Sequence, residues 1–140
     1  MTEFSASRNS LVGTWKVLSF WIEFEESDDR DEPYGANPEG YVVLTEKRLI
    51  AVITGPNREM DQSAGRLFDS MMAYSGRYRL QSDDCFITTV DSAWLPTWLG
   101  TEQVRYFKIN GEKLSVMGLF RENPKYPGRR VRGVLTGRKE

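Results

Sequence analysis

Arg105 stands two residues after Gln103 in the stretch TEQVRYF, Thr101 to Phe107. Residues two apart in a strand share a face, so an amide and a guanidinium project together there. An arginine turned into a protein interior is costly unless it meets an anion or a hydrogen-bonding partner. An inward Arg105 would hold a carboxylate, phenolate or enolate of a ligand, or would pair with an internal acid such as Asp91. An outward Arg105 would be an ordinary surface charge. Asp91 shares a face with Thr89. Turned inward, it is the general-base candidate of the chain, its pKa raised by burial. Tyr41 and Tyr78 could donate hydrogen bonds to a developing enolate. The candidate catalytic set is therefore Arg105 to polarise, Asp91 as base and Tyr78 as donor.

The chain has no histidine. That excludes Ser-His-Asp and Cys-His nucleophile systems and histidine-ligated metal sites. Its one cysteine, Cys85, follows Asp83 and Asp84, an environment that raises a thiol pKa and argues against a nucleophile. One cysteine allows neither an intrachain disulfide nor a Cys-x-x-Cys zinc pattern. No metal and no cofactor is expected.

Apolar candidates surround this polar set. Trp94 and Trp98 bracket Pro96 in a loop, either as an aromatic rim for a flat apolar ligand or as indoles folded onto the end of the domain. Ala64, Leu67, Phe68, Met71 and Met72 recur at helical spacing within Asp61 to Ala73. This stripe is either a pliable lid over an open mouth or the packing face of a helix on an outer wall. Asp61 or Ser63 would cap that helix.

Most of the remaining chain reads as strand. Trp15 to Glu25 is one long, bent strand. Tyr41–Thr45 and Leu49–Thr54 form a hairpin, and Gly55-Pro56-Asn57 ends it. Tyr74–Leu80 and Cys85–Ser92 follow the helix. Gln103–Ile109 and Lys113–Phe120 flank Asn110-Gly111, a strong hairpin signal. Arg130–Arg138 is the final strand. Along Tyr74–Leu80 the face Tyr74, Gly76, Tyr78 and Leu80 reads as interior. The acidic run from Glu25 to Glu32 reads as a solvated loop without the spacing of a calcium site. Eight antiparallel strands joined by short turns can close into a barrel, which removes exposed edges and leaves room inside for side chains or one small ligand.

The bulk composition agrees with one domain of 140 residues. Hydrophobic residues make up 39% and charged residues 28%, with net charge −1. That balance gives no electrostatic case for nucleic acid or an anionic membrane. The polar start of the chain lacks the apolar core of a signal peptide, and no apolar run is long enough to span a bilayer. The expected setting is the cytoplasm, with residues 1–10 as a disordered arm and 11–140 as the folded domain, monomeric or homodimeric.

Gly13-Thr14-Trp15, at the head of the first strand, resembles the Gly-x-Trp signature of the lipocalins. NPEGYVVLT (Asn37–Thr45), AYSGRYRL (Ala73–Leu80) and LPTWLGTEQVRYF (Leu95–Phe107) resemble the successive motifs of the short bacterial and fungal lipocalin-like domains. The resemblance implies an all-β, eight-stranded up-and-down barrel with one helix between the third and fourth strands. It implies that Trp15 closes one end and that a basic residue of the last strand, Arg138, covers its ring. It favours Gln103 and Arg105 as a recurring inward pair. Relatives often carry histidine near Thr88 and Thr89, and no role of that histidine carries over here.

The function this implies is binding of a small apolar, aromatic or polyketide-like molecule inside the barrel. Tyr41, Phe68, Met71, Met72, Tyr74, Tyr78, Trp94, Trp98, Gln103 and Arg105 are the expected contacts. The alternative is a cofactor-independent cyclase or isomerase of secondary metabolism, in which a shaped cavity folds the substrate with little acid–base equipment.

Overall fold

A computed structural model describes residues 4–56 and 58–140. Residues 1–3 of the expected arm and Asn57 of the expected turn lie outside the described residues.

The first long strand, β1 (Gly13–Phe24), changes inward phase midway. Trp15 and Val17 are buried, and then Phe20, Ile22 and Phe24. Its register against the last strand skips Leu18, so a bulge between Val17 and Ser19 moves the apolar set by one position without losing the interior. That bulge accounts for the imperfect alternation of the sequence and for the bend of the strand.

The strands β2 (Arg30–Asp31), β3 (Glu39–Leu44), β4 (Arg48–Thr54), β5 (Met71–Ser82), β6 (Cys85–Ala93), β7 (Glu102–Asn110), β8 (Lys113–Met117), β9 (Arg121–Glu122) and β10 (Arg130–Lys139) follow. The eight long strands run in the order β1-β3-β4-β5-β6-β7-β8-β10, each antiparallel to its neighbours, and β1 pairs again with β10. The sheet closes on itself as an antiparallel eight-stranded barrel, and the two-residue strands β2 and β9 extend it at one rim. The acidic run is thus more than a solvated loop. Asp31 enters β2, Glu25 pairs with Arg130 at 3.0 Å, and Glu26 pairs with Arg129.

Among the described residues, two α-helices accompany the barrel. α1 (Ser5–Leu11) occupies the segment expected to be a disordered arm. It lies over one end of the barrel, where Leu11 is fully buried and Phe4 packs on the core. α2 (Ala64–Asp69) lies between β4 and β5, the third and fourth long strands, and follows the fourth strand when β2 is counted. Ser63 caps it, accepting from Arg66 N at 3.2 Å. The helix is shorter than its apolar spacing suggests. Met71 and Met72 leave it to pair with Thr54 and Ile53 in the sheet, because continuing the ladder satisfies their backbone groups along a whole strand edge. The hairpin after β7 also shifts by one. Asn110 pairs with Lys113, so the two-residue loop is Gly111-Glu112, with Gly111 at φ +64°.

Trp15 closes one end, with a different partner from the one expected. Its indole is fully buried and donates to the Leu11 carbonyl at 2.8 Å. The register sets Trp15 opposite Lys139 and leaves Arg138 opposite Lys16. Lys139 Nζ therefore stands 5.5 Å from the centre of the indole ring, while Arg138 is exposed on the outer face. Gly13 (φ +148°) makes room for it, since a Cβ there would come within 2.9 Å of Lys139 Cε.

Candidate functional site

The end opposite Trp15 holds a cavity of about 500 Å³, within the range that takes a drug-sized ligand. Inward residues of successive strands wall it: Phe20 and Ile22 of β1, Val42 and Leu44 of β3, Leu49 and Ala51 of β4, Met72 and Tyr74 of β5. Phe86, Leu114 and Leu135 complete the apolar floor.

An aromatic cluster forms one side of the mouth. The 3₁₀ turn Pro96–Trp98 starts at proline, whose fixed φ suits a first helical position. The turn brings the Trp94 and Trp98 rings to 5.2 Å in an edge-on arrangement, with Tyr74 at 5.0 Å from Trp98. Phe68 of α2 lies 6.4 Å from Trp94. All four rings line the cavity. Opposite them stand Tyr34, 5.2 Å from Phe20, and Tyr126, which packs edge-on to Phe24 and donates to Asp31. Burial pushes the Tyr34 phenol up to about 12, so it is a neutral hydroxyl at the cavity wall.

The polar wall is a relay along the inward face of β7. Arg105 donates through Nη2 to Gln103 Oε1 at 3.2 Å, and through Nη1 to the Val104 carbonyl at 3.0 Å. Gln103 Nε2 donates to Thr101 Oγ1 at 2.9 Å, and Thr101 donates to the Trp98 carbonyl at 2.6 Å. The guanidinium, the buried amide and the Trp98 turn are thus held as one unit. Gly118 lines the cavity against Arg105, with a Cβ position 3.3 Å from Arg105 Nη1.

Tyr34, Tyr126 and Arg121 also line the cavity and were not singled out in the sequence. Tyr34 and Tyr126 lie in irregular rim segments and Arg121 in the two-residue β9, all too short of regular strand for alternation to mark a face.

Of the residues singled out in the sequence, Phe68, Met72, Tyr74, Trp94, Trp98, Gln103 and Arg105 meet at this cavity. Four do not. Asp91 is on the outer surface, on the same face as exposed Thr89 and opposite to buried Thr88 and Val90. There it accepts from Arg48 at 2.8 Å and from Ser75 at 3.0 Å. The Arg48 bond, then the Ser75 bond, lowers its pKa, the reverse of a buried base. Tyr41 is 42% exposed on the outer wall of β3. Met71 lies on the opposite face from Met72 and is not part of the wall. Tyr78 is inside but belongs to the closed end, where its hydroxyl donates to the Thr45 carbonyl at 2.5 Å. Its pKa is raised, first by burial. The cavity therefore unites Arg105 with neither Asp91 nor Tyr78, and the three do not form a catalytic set.

Among the described residues no helix is long and apolar enough to cross a membrane. No curated protein matches the chain. The family model described as the lipocalin-like domain matches residues 12–139, a span that runs from the residue before Gly13 to the end of β10, and the chain belongs to the lipocalin-like domain family.

Proposed function

We propose that the protein binds one small apolar molecule with an aromatic or polyketide-like body inside the barrel. The observation that carries this reading is the roughly 500 Å³ cavity with an aromatic mouth and a few convergent polar groups. Flat rings stack against Trp98, Tyr74 and Phe68, while Arg105, Gln103 and Tyr34 orient oxygen atoms of the ligand. The expected setting is the cytoplasm and the expected partner is the ligand alone.

A cofactor-independent cyclase or isomerase is the second reading. It is favoured by the neutral Tyr34 hydroxyl and the Arg105 guanidinium at one cavity, which could polarise a carbonyl together. It loses the base assigned to Asp91, which faces solvent, so binding is the better-supported activity.

Native mass spectrometry of protein purified from its host, before and after denaturation, identifies a retained ligand. Incubation of apo protein with that compound, or with a panel of polycyclic phenols, separates the two readings. Recovery of the compound unchanged supports binding, and an isomer or dehydrated product supports catalysis. Failure of retained and added compounds alike to bind refutes both.

A further inference from the structure

The charges around the cavity are not balanced. Arg105, Arg121, Lys125 and Arg132 line it, against one carboxylate, Asp69 on α2. Arg132 is already matched: it donates to Glu23 at 2.8 and 3.0 Å and covers the Phe120 ring at 4.4 Å. Arg105 and Arg121 differ from it. Arg105 is fixed by two neutral acceptors, the Val104 carbonyl and the Gln103 amide. The side chain of Arg121, exposed on β9 at the rim, has no hydrogen bond or ion pair among the described residues, and Asp69 forms an ion pair with neither arginine. Burial first, and the charge of Arg105 second, lowers the Arg121 pKa.

Two guanidinium groups that line one apolar cavity, neither paired with a carboxylate, both gain a partner when an anion sits between them. The positions also specify the rest of the ligand. Arg105 is held rigidly by the β7 relay, and Arg121 stands beside the opening, so the charged group lies at the mouth and the apolar body runs down toward Phe86 and Leu114.

We propose that Arg105 and Arg121 form a two-guanidinium clamp for a carboxylate, and that the natural ligand is an amphiphilic organic acid with an apolar body in the barrel. This rests on the binding function proposed above and adds to it a ligand class and a residue, Arg121. A carboxylate fits because its two oxygens accept in parallel from guanidinium forks. Arg105 keeps free N–H groups beyond the two that anchor it.

The test uses 1-pyrenebutyrate and its neutral isostere 1-pyrenebutyramide, titrated into the full chain, with energy transfer from tryptophan to pyrene as the readout. The wild type is expected to prefer the acid by about tenfold or more, the worth of charge-assisted hydrogen bonds over neutral ones. Arg121→Met and Arg105→Met should each reduce that ratio by about fivefold or more, with far-UV circular dichroism confirming the fold. Equal affinity for the two probes in the wild type overturns the clamp and leaves cavity binding intact. A preference that survives Arg121→Met removes Arg121 from the clamp and overturns the proposal. Binding of neither probe overturns the clamp and cavity binding together.

Discussion

Replacing Trp15 by phenylalanine tests how the barrel is closed. The indole is fully buried, and its nitrogen donates to the Leu11 carbonyl at 2.8 Å. Phenylalanine has no donor, so the carbonyl at the end of α1 becomes a buried, unsatisfied acceptor. That costs about 1–3 kcal/mol. The smaller ring leaves unfilled space and lost contacts, which add about 1–2 kcal/mol. The Lys139 contact, at 5.5 Å from the ring centre, is worth about 0.5 kcal/mol at a part-exposed site and survives partly over a phenyl ring. The expected loss is about 2–5 kcal/mol, a large part of the 5–15 kcal/mol typical of a domain. With a urea slope of about 2 kcal/mol per molar, the midpoint falls by about 1–2.5 M. Urea unfolding followed by far-UV circular dichroism reads this independently of the lost fluorophore. Arg138→Met, on the outer face, should stay within about 0.5 kcal/mol of the wild type. A Trp15→Phe midpoint within about 0.3 M of the wild type would refute the argument that the α1–Trp15 bond seals the barrel.

Other consequences follow from the same packing. A Cβ at Gly133 would meet the end of the Phe20 ring at 2.8 Å, with open cavity beside it. Gly133→Ala should therefore cost about 1 kcal/mol or less in a thermal melt, yet weaken ligand binding by pushing the ring into the cavity. Gly76→Ala should cost about 2–4 kcal/mol in the same melt, because its Cβ would meet the Thr89 carbonyl oxygen at 2.1 Å and only backbone could yield. The Glu23 pKa is lowered, first by the Trp21 indole hydrogen bond and then, against the opposing effect of burial, by Arg132. Its contribution is present above the free value of 4.5 and is lost as pH falls through the lower folded value. Glu23→Gln should thus destabilise at pH 7 by about 1 kcal/mol, and the gap to the wild type should narrow as pH falls below 4.5, read by chemical denaturation across that range. Tyr34 shifts the other way. Burial raises it from 10.0 to about 12, so its contribution is complete below pH 10 and is lost as pH rises through about 12. Tyr34→Phe should flatten the alkaline limb of the stability profile between those values.

Where side chains alternate without interruption, the sequence discloses the inside of the barrel. Tyr74, Gly76, Tyr78 and Leu80 do face inward, and so do Gln103 and Arg105. Alternation fails at bulges, because one extra residue reverses the faces beyond it. Leu18 in β1 is such a residue. In β6 alternation joins Asp91 to Thr89 but does not say which face turns inward, and both are exposed, Asp91 as the surface partner of Arg48. Helical spacing at Met71 and Met72 gives way to strand pairing, since the spacing cannot record that an edge of β4 waits beside them. Arg138 and Lys139 are adjacent basic residues, and only the register across β1 decides which one reaches Trp15. Phe4 and Leu11, seven apart with only Ala6 apolar between them, carry the faint signal of α1. Arg121, Tyr34 and Tyr126 lie in rim segments where closure alone brings them to one mouth.

The most direct test of the account is the position of a bound ligand. A brominated polycyclic phenol, co-crystallised with the full chain and placed by anomalous diffraction, reports where an apolar molecule lodges. Binding inside the barrel predicts a bromine peak enclosed by Phe20, Tyr74, Trp98 and Gln103. A peak confined to the outer wall beside Tyr41, Ile50 and Val52, with nothing inside at saturating ligand, would contradict it.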